Sequence, residues 1–209
     1  ASDVYKRQGY HDRNLYQNIA SATKLREMNR NNENINDFIP YKLEDINCDI
    51  PYDISNLDSA IISKLRLMTA ENLQNISEVT EGIENRILSS ANMSYSFETL
   101  VENVKNKRYT TSKIRRMIIS ALIGFTKDIY SPMPQYIRIL GMNKVGMTIL
   151  KQAKDTCKVP IITKTADFKE QSPQFNLDVR ATNIAMLCNP IPTHRIGNAD
   201  LKKSPIIMK

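Results

Sequence analysis

The strongest chemical signal in this 209-residue sequence is a run of basic residues at positions 105–116, where six cations fall within twelve positions with no acid among them. Clustered Lys and Arg side chains bind phosphates, and an interleaved aromatic ring can stack on an unpaired base. We therefore interpret the run as an RNA-binding surface with unpaired charges. The alternative is a solvated helix face whose long side chains cover apolar surface. The predicted RNA contacts are Lys105, Lys107, Arg108, Tyr109, Lys113, Arg115 and Arg116.

A second candidate site lies where small and hydroxyl-bearing residues, Ser21, Ala22 and Thr23, precede a short apolar face. Ser21 or Thr23 can cap a helix there, and the free N–H groups and positive dipole end of a helix N-terminus suit a phosphate. Arg26, one turn further along, would add a charged contact to the same anion. Without other information, an ordinary capped helix with a surface arginine is the simpler interpretation.

A third constellation, residues 136–143, places Gly141 and Asn143 after a predicted strand and before a predicted helix. A loop there could approach a ligand closely, but a single glycine forms no nucleotide-binding fingerprint. A tight structural turn is favoured. The two histidines, His11 and His194, lie too far apart for a local metal motif, so we predict neither a metal site nor a catalytic residue.

Composition restricts the class of protein further. The formal net charge of +7 favours a polyanionic partner, although a generally basic surface is equally consistent with it. Three distant cysteines suggest neither disulfides nor zinc, and neither a signal segment nor a membrane span is visible. A soluble, cytoplasmic protein is expected. The acids Glu78, Glu81, Glu84 and Glu98 lie on predicted helices and are interpreted as surface or cap residues.

The periodicity of apolar residues predicts a fold that is mainly α with a small α/β portion. Ser55 and Asp58 resemble a capping box, and further helices are predicted to begin at Thr69, at Gly82 and after Ser96. The helix from Thr69 should place Leu73, Ile76 and Val79 inward, and Thr110 or Thr111 can cap the helix that follows. The clearest apolar stripe runs through Ile114, Met117, Ile118, Ala121, Leu122 and Phe125. Residues 136–142, 143–157 and 159–165 then read as a βαβ unit with parallel strands, and a last helix is predicted at 178–188.

Several short motifs together resemble the tRNA(Met) cytidine acetate ligase family. They follow the family's order across nearly all of residues 9–188, although each string alone is weak. They are GYHD at 9–12, IASATKLRE at 19–27, EGIENRI at 81–87, KRYT at 107–110, YIRILGMN at 136–143 and PIITK at 160–164.

The resemblance implies a specific activity and division of the chain. The family activates acetate with ATP as acetyl-adenylate and forms N4-acetylcytidine at the wobble position of elongator tRNA(Met). ATP, with Mg²⁺, is thus the expected cofactor, tRNA(Met) and acetate the expected partners, and neither DNA nor a membrane is expected. By resemblance, Ser21, Ala22, Thr23 and Arg26 match a phosphate-contacting motif, and Lys107, Arg108, Tyr109 and Arg116 the segment that meets tRNA.

The resemblance also predicts the domain order. By resemblance, residues 9–30 look like the end of a nucleotidyltransferase (Rossmann-like) domain, 31–130 like a helical RNA-binding region and 131–209 like a small α/β region. Residues 1–8 fit nothing that follows and independently look like a non-native remnant. Lys113 departs from the family's usual Arg, which keeps the charge but loses bidentate geometry.

The HxGH-type motif of the superfamily is absent from the sequence, so we expect a C-terminal fragment that cannot make acetyl-adenylate by itself. Two alternatives stay open: a non-catalytic tRNA-binding module, and a small-molecule adenylyltransferase of the same superfamily.

Overall fold

The computed structural model describes residues 20–31, 33–39, 52–80, 82–168 and 172–208. Contacts divide the chain into two compact units, residues 1–53 and 54–209. Positions 1–19, which include His11 and the GYHD string, lie outside the described residues, as does Glu81.

The described part of the first unit contains one α-helix, α1 (Ala22–Arg30), and a 3₁₀ turn at Asn36–Phe38. Ser21 is the N-cap, because its side chain accepts a hydrogen bond from the Lys24 backbone N–H at 3.1 Å. Thr23 lies inside the helix, which decides between the two predicted caps. Met28 is buried.

The second unit is helix-rich and its core lies among its first five α-helices. These five helices pack their apolar faces together, with Ile61, Ile87, Leu100 and Ile114 each 0% exposed. Burial of a side chain of this size stabilises a fold by about 1.5–3 kcal/mol. The helices are α2 (Asp58–Arg66), α3 (Ala70–Gln74), α4 (Ile83–Met93), α5 (Phe97–Val104) and α6 (Thr111–Ile123).

Local cap chemistry explains where several of these helices begin. Thr69 and Ser96 form capping boxes with Asn72 and Thr99, and Thr110 accepts a hydrogen bond from the Lys113 N–H at 3.3 Å. These three starts confirm the predicted ones. The helices therefore begin where a side-chain oxygen can satisfy an otherwise unpaired N–H group.

Other predictions for this part are wrong. Ser55 is not the N-cap of α2, because Ile54–Leu57 is a 3₁₀ turn and Leu57 occupies that position. Asp58 accepts the Phe97 N–H at 2.8 Å. The second predicted helix is also shorter than its apolar pattern, since α3 ends at Gln74. Ile76, predicted on its inner face, is buried but forms an isolated bridge with Thr126.

The predicted βαβ unit is confirmed. Strand β1 (Ile137–Arg138) pairs in parallel with β3 (Ile161–Ile162), and α7 (Lys144–Thr156) lies between them in sequence. The sequence patterns missed a second parallel pair, in which β2 (Gly141–Met142) meets β4 (Ile206–Ile207). A Cβ on Gly141 would lie 3.2 Å from the Ile206 carbonyl oxygen, so this glycine permits the close approach of a strand.

The last long helix, α8 (Pro173–Met186), begins five positions before its predicted start. Ser172 caps it and Pro173 occupies its first turn, where proline loses no hydrogen bond. The short helix α9 (Ala199–Lys202) is attached to β1 by a bidentate ion pair, in which the Arg138 guanidinium donates to the Asp200 carboxylate at 2.7 and 2.8 Å.

Candidate functional site

The N-terminus of α1 has the features of an anion site. The first-turn N–H groups of Ala22 and Thr23 have no intrahelical acceptor, as in any α-helix, and no acid lies in that turn. Arg26 is exposed one turn further along. A positive dipole end, free donors and a nearby guanidinium fit a phosphate, so these residues fit the nucleotide that the resemblance implies. Their contact with ATP stays a prediction.

The basic segment 105–116 is built on the junction between α5 and α6. Lys105 is the C-cap of α5, and Asn106 folds the loop by accepting the N–H groups of Arg108 and Tyr109 at 2.9 and 3.0 Å. Thr110 then caps α6. The loop is therefore fixed by its own hydrogen bonds, and the side chains of Lys107 and Arg108 are exposed.

Tyr109 does not have the role predicted for it. The ring is only 9% exposed, and the hydroxyl hydrogen-bonds with that of Thr80 at 2.6 Å. The Arg108 guanidinium carbon and the Lys113 Nζ lie 5.3 and 5.2 Å from the ring centroid, within cation–π range. The ring thus holds two cations in place and is too buried to stack on a base.

The expectation of unpaired charges is also wrong for half of the segment. Arg116 Nε donates to both carboxylate oxygens of Glu78, at 3.1 and 2.9 Å, and Arg115 pairs with Glu98. Lys105 Nζ lies 3.5 Å from a carboxylate oxygen of Glu102. The sequence pattern missed these pairs because their acids lie outside the basic run. Lys107, Arg108 and Lys113 make no ion pair with any residue the structure describes.

These ion pairs leave the surface available to a polyanion. The side chains of Arg116 and Glu78 are 60% and 34% exposed, and pairs of this kind contribute about 0.2–1 kcal/mol. Exchange of a carboxylate for a phosphate is therefore energetically accessible to Arg115 and Arg116.

The structure describes three of the four acids interpreted as surface or cap residues, and their environments differ. Glu78 and Glu98 are exposed, and Glu78 has φ +67°, a left-handed conformation uncommon for a residue with a side chain. Glu84, in contrast, is only 3% exposed. Its carboxylate accepts from the Gln74 amide at 2.9 Å, and this hydrogen bond is the main cause that lowers the pKa of Glu84. Glu84 is thus a structural residue of the core edge.

A cleft of about 500 Å³ opens in the second unit between the end of α6 and α8. The Tyr136 hydroxyl donates to the Asp178 carboxylate in its wall, and burial, followed by this hydrogen bond, raises the pKa of Tyr136. Tyr136 therefore stays protonated at neutral pH and acts as a donor. The lining residues are Phe125, Ile129, Tyr130, Ser131, Tyr136, Gln174, Leu177 and Asp178.

The third constellation is structural where the structure describes its contacts. Arg138 is engaged by Asp200, and its guanidinium is the main cause that lowers the pKa of that carboxyl. Gly141 lies in β2, and Asn143 caps α7 by accepting the Gly146 N–H at 2.9 Å. These residues thus join strands and helices. Of the two interpretations of residues 136–143, a ligand-binding loop or a structural turn, the structural one is better supported, although Gly141 lies in a strand and not in a turn.

Two further properties concern only the described ranges. There, no group of three or more His, Cys, Asp or Glu side chains is arranged to hold a metal ion. No helix in the same ranges has the length and apolar character needed to cross a bilayer.

Comparison with known proteins identifies the class to which this architecture belongs. The family model described as HIGH Nucleotidyl Transferase matches residues 4–200, so the chain belongs to that family. Within it, the resemblance to the tRNA(Met) cytidine acetate ligases is confirmed by three curated relatives with that name. They come from Thermosipho africanus, Clostridium botulinum and Acetivibrio thermocellus, with 33%, 32% and 30% identity over 99%, 96% and 95% of this chain.

The match covers only part of these relatives. The chain spans 56%, 51% and 53% of their respective lengths, about half in each case. Two crystal structures of Thermotoga maritima TmcAL are also similar. The apo form has a TM-score of 0.83 at 27% identity, covering 96% of this chain and 53% of that one. The form bound with alpha-thio ATP has a TM-score of 0.79 at 28% identity, covering 93% and 53%.

Proposed function

We propose that this chain is the tRNA-binding part, with a portion of the nucleotide site, of an ATP-dependent ligase. That ligase activates acetate as acetyl-adenylate and forms N4-acetylcytidine at the wobble position of elongator tRNA(Met). The names of the relatives support the substrate, and the alpha-thio ATP complex of a similar protein supports the nucleotide. The observation that carries the proposal is the fixed basic junction between α5 and α6.

The junction supports RNA binding through its rigidity. Arg108 and Lys113 are held against the Tyr109 ring, and the loop is folded by Asn106, so little side-chain entropy remains to be lost on binding. Arg115 and Arg116 can exchange exposed carboxylates for phosphates. The proposed tRNA contacts are therefore Lys105, Lys107, Arg108, Lys113, Arg115 and Arg116, with Tyr109 as the residue that positions two of them.

The proposed nucleotide contacts are those of the α1 turn. The N–H groups of Ala22 and Thr23 would donate to a phosphate, Ser21 would hold the turn open by capping Lys24, and Arg26 would add charge. Residues of an HxGH-type motif are absent from the sequence, so we expect no adenylate formation by this chain alone. An ATP–pyrophosphate exchange assay with acetate tests this, and turnover would contradict it.

The RNA proposal is tested by binding of labelled tRNA(Met) to the wild-type chain and to Arg108→Ala/Arg116→Ala across a salt series. Removal of one cation that binds a phosphate lowers the slope of log K against log[salt] by about 0.7–0.9. We expect the slope of the double variant to be lower by about 1.4–1.8. The control, Lys64→Ala/Lys202→Ala, removes the same charge from exposed positions on α2 and α9.

The same experiment separates the alternatives. Equal slopes for the wild type and both double variants would refute the RNA surface. Binding of any RNA with the same weak affinity at physiological salt would favour a small-molecule adenylyltransferase, in which the basic junction is incidental.

A further inference from the structure

A second group of cations lies on α7, where the sequence patterns indicated only a helix. Lys144, Lys151 and Lys154 are all exposed, and Lys158 follows just beyond the helix end at Thr156. Seven residues are almost two helical turns and three almost one, so the three helical lysines share one face. Lys144 and Lys151 are separated by about 10 Å along the axis, at 1.5 Å per residue.

The helix is unusual in how little of it is covered. None of its side chains is buried, whereas α2, α4, α5, α6 and α8 each bury at least two. Asn143 caps its first turn, so the start of the helix is well defined. The lysine face is thus a fixed, solvent-exposed row of charges.

The lysines of α7 differ from the cations of α6 in their partners. Three of the six basic residues at 105–116 have a carboxylate within ion-pair distance. Among the residues the structure describes, Lys144, Lys151, Lys154 and Lys158 have none. Asp155 is the acid on the same helix; it is exposed and forms no ion pair with the described cations. A polyanion therefore need not displace a protein carboxylate here.

We propose that the lysine face of α7, formed by Lys144, Lys151 and Lys154, is together with the following Lys158 a second binding surface for the tRNA phosphate backbone. This rests on the proposed function and extends it to a helix outside the basic junction. Lysine binds phosphate as a point charge without reading a base, so the surface orients the RNA and contributes affinity but no sequence preference. Each phosphate that a lysine neutralises releases condensed counterions, so RNA binding through this face should weaken as the salt concentration rises.

An anionic membrane is the competing ligand for a basic helix, and the lack of an aromatic anchor argues against it. Val145 and Ile149 are exposed on the side of α7 away from the lysines, whereas Met147, 37% exposed, lies on the lysine face. The helix carries no Trp or Phe to anchor it in a bilayer. A ligand that binds through the lysine face is a polyanion in solution.

The test compares charge variants on α7 with the same matched control. Labelled tRNA(Met) is titrated with the wild-type chain, with Lys151→Ala/Lys154→Ala and with Lys64→Ala/Lys202→Ala across a salt series. We expect the α7 variant to lower the salt slope by about 1.4–1.8 and to weaken binding at 0.1 M salt on the order of tenfold. Asp155→Asn should strengthen binding, because it removes the acid nearest the lysines, and a folding defect would not have that effect.

The outcomes distinguish this inference from the proposed function. Circular dichroism first establishes that each variant retains its helicity. If Arg108→Ala/Arg116→Ala weakens tRNA binding and the α7 variant behaves like the control, the inference is overturned and the proposed function stands. If neither variant changes the slope, both are overturned. Binding to phosphatidylserine vesicles that requires Lys151 and Lys154, with RNA binding unaffected by them, would also overturn the inference.

Discussion

The ion pair between Arg138 and Asp200 allows the most detailed prediction about stability. The carboxylate side chain is 9% exposed and the arginine side chain 23%, and two hydrogen bonds of 2.7 and 2.8 Å join them. The Thr165 hydroxyl also donates to the Asp200 backbone carbonyl, so the acid is a junction between β1, α9 and the turn after β3. Arg138→Ala would leave this buried carboxylate without its main partner.

The expected cost follows from burial. Removal of one partner from a buried ion pair destabilises a protein by about 3–5 kcal/mol, and the partial exposure of Arg138 places this variant near the lower end of that range. Arg138→Lys keeps the charge and loses the bidentate geometry, so about 1–2 kcal/mol is expected. Arg116→Ala is the matched control, because its pair with Glu78 is exposed and its removal should cost at most about 1 kcal/mol.

The contribution of the Arg138–Asp200 pair to the free energy of unfolding should depend on pH. Arg138 lowers the pKa of Asp200 in the folded state. The pair therefore contributes its full stability above the unfolded pKa of about 3.9, and this contribution is lost as the pH falls through the lower folded pKa. In Arg138→Ala the charged carboxylate is buried and unfavourable, so protonation relieves it. The difference in stability between wild type and variant should narrow as the pH is lowered from 7 towards 4.

The assay is urea unfolding followed by circular dichroism, at pH 7 and at lower pH, for the two single variants Arg138→Ala and Asp200→Ala and for their double variant. We expect the double variant to be more stable than the sum of the single effects implies, with a coupling energy above about 1.5 kcal/mol. A coupling energy below about 0.5 kcal/mol would refute the reasoning. So would a difference in stability between wild type and Arg138→Ala that increases as the pH is lowered.

Three further predictions concern single contacts. Tyr109→Phe should cost about 1 kcal/mol in urea unfolding, because it removes the hydrogen bond to Thr80; an unchanged midpoint would contradict this. Gly124→Ala should destabilise by about 1–2 kcal/mol, because φ is +73° and the new Cβ would lie 2.8 Å from Arg180 Nη1; a stabilised variant would show that reasoning wrong. Glu84→Gln should weaken the dependence of stability on pH below about 4, because the lowered pKa of Glu84 contributes stability that acid removes; identical pH profiles would count against it.

The features that the sequence predicted well are those fixed by neighbouring residues. Thr69, Ser96 and Thr110 begin helices because their side chains bond to an N–H group three residues further on. The stripe from Ile114 to Ala121 is buried because helical spacing places those side chains on one face. Both effects operate within one or two turns, so a sequence pattern contains all the information they need.

The features that it missed depend on distant residues. Arg116 pairs with Glu78, which lies 38 positions earlier, and the Tyr109 hydroxyl meets Thr80, 29 positions earlier. No pattern within the basic run contains either partner. The predicted unpaired charges and the stacking ring were therefore interpretations of a segment without its tertiary neighbours. Ser55 and Asp58 have suitable spacing for a cap, but Ser55 lies in a 3₁₀ turn. The Asp58 carboxylate accepts the N–H of the distant Phe97.

The pairing of β2 with β4 has a consequence for how this unit is assembled. Gly141 meets Ile206, 65 positions later, and closing a flexible loop of that length costs about 4 kcal/mol of chain entropy. Two backbone hydrogen bonds, from the Ile206 N–H to the Leu140 carbonyl and from the Met208 N–H to the Met142 carbonyl, stabilise the pair by only about 1–3 kcal/mol. This two-stranded ladder cannot form ahead of the helices that shorten the loop, so its presence marks a unit whose intervening segments have already folded.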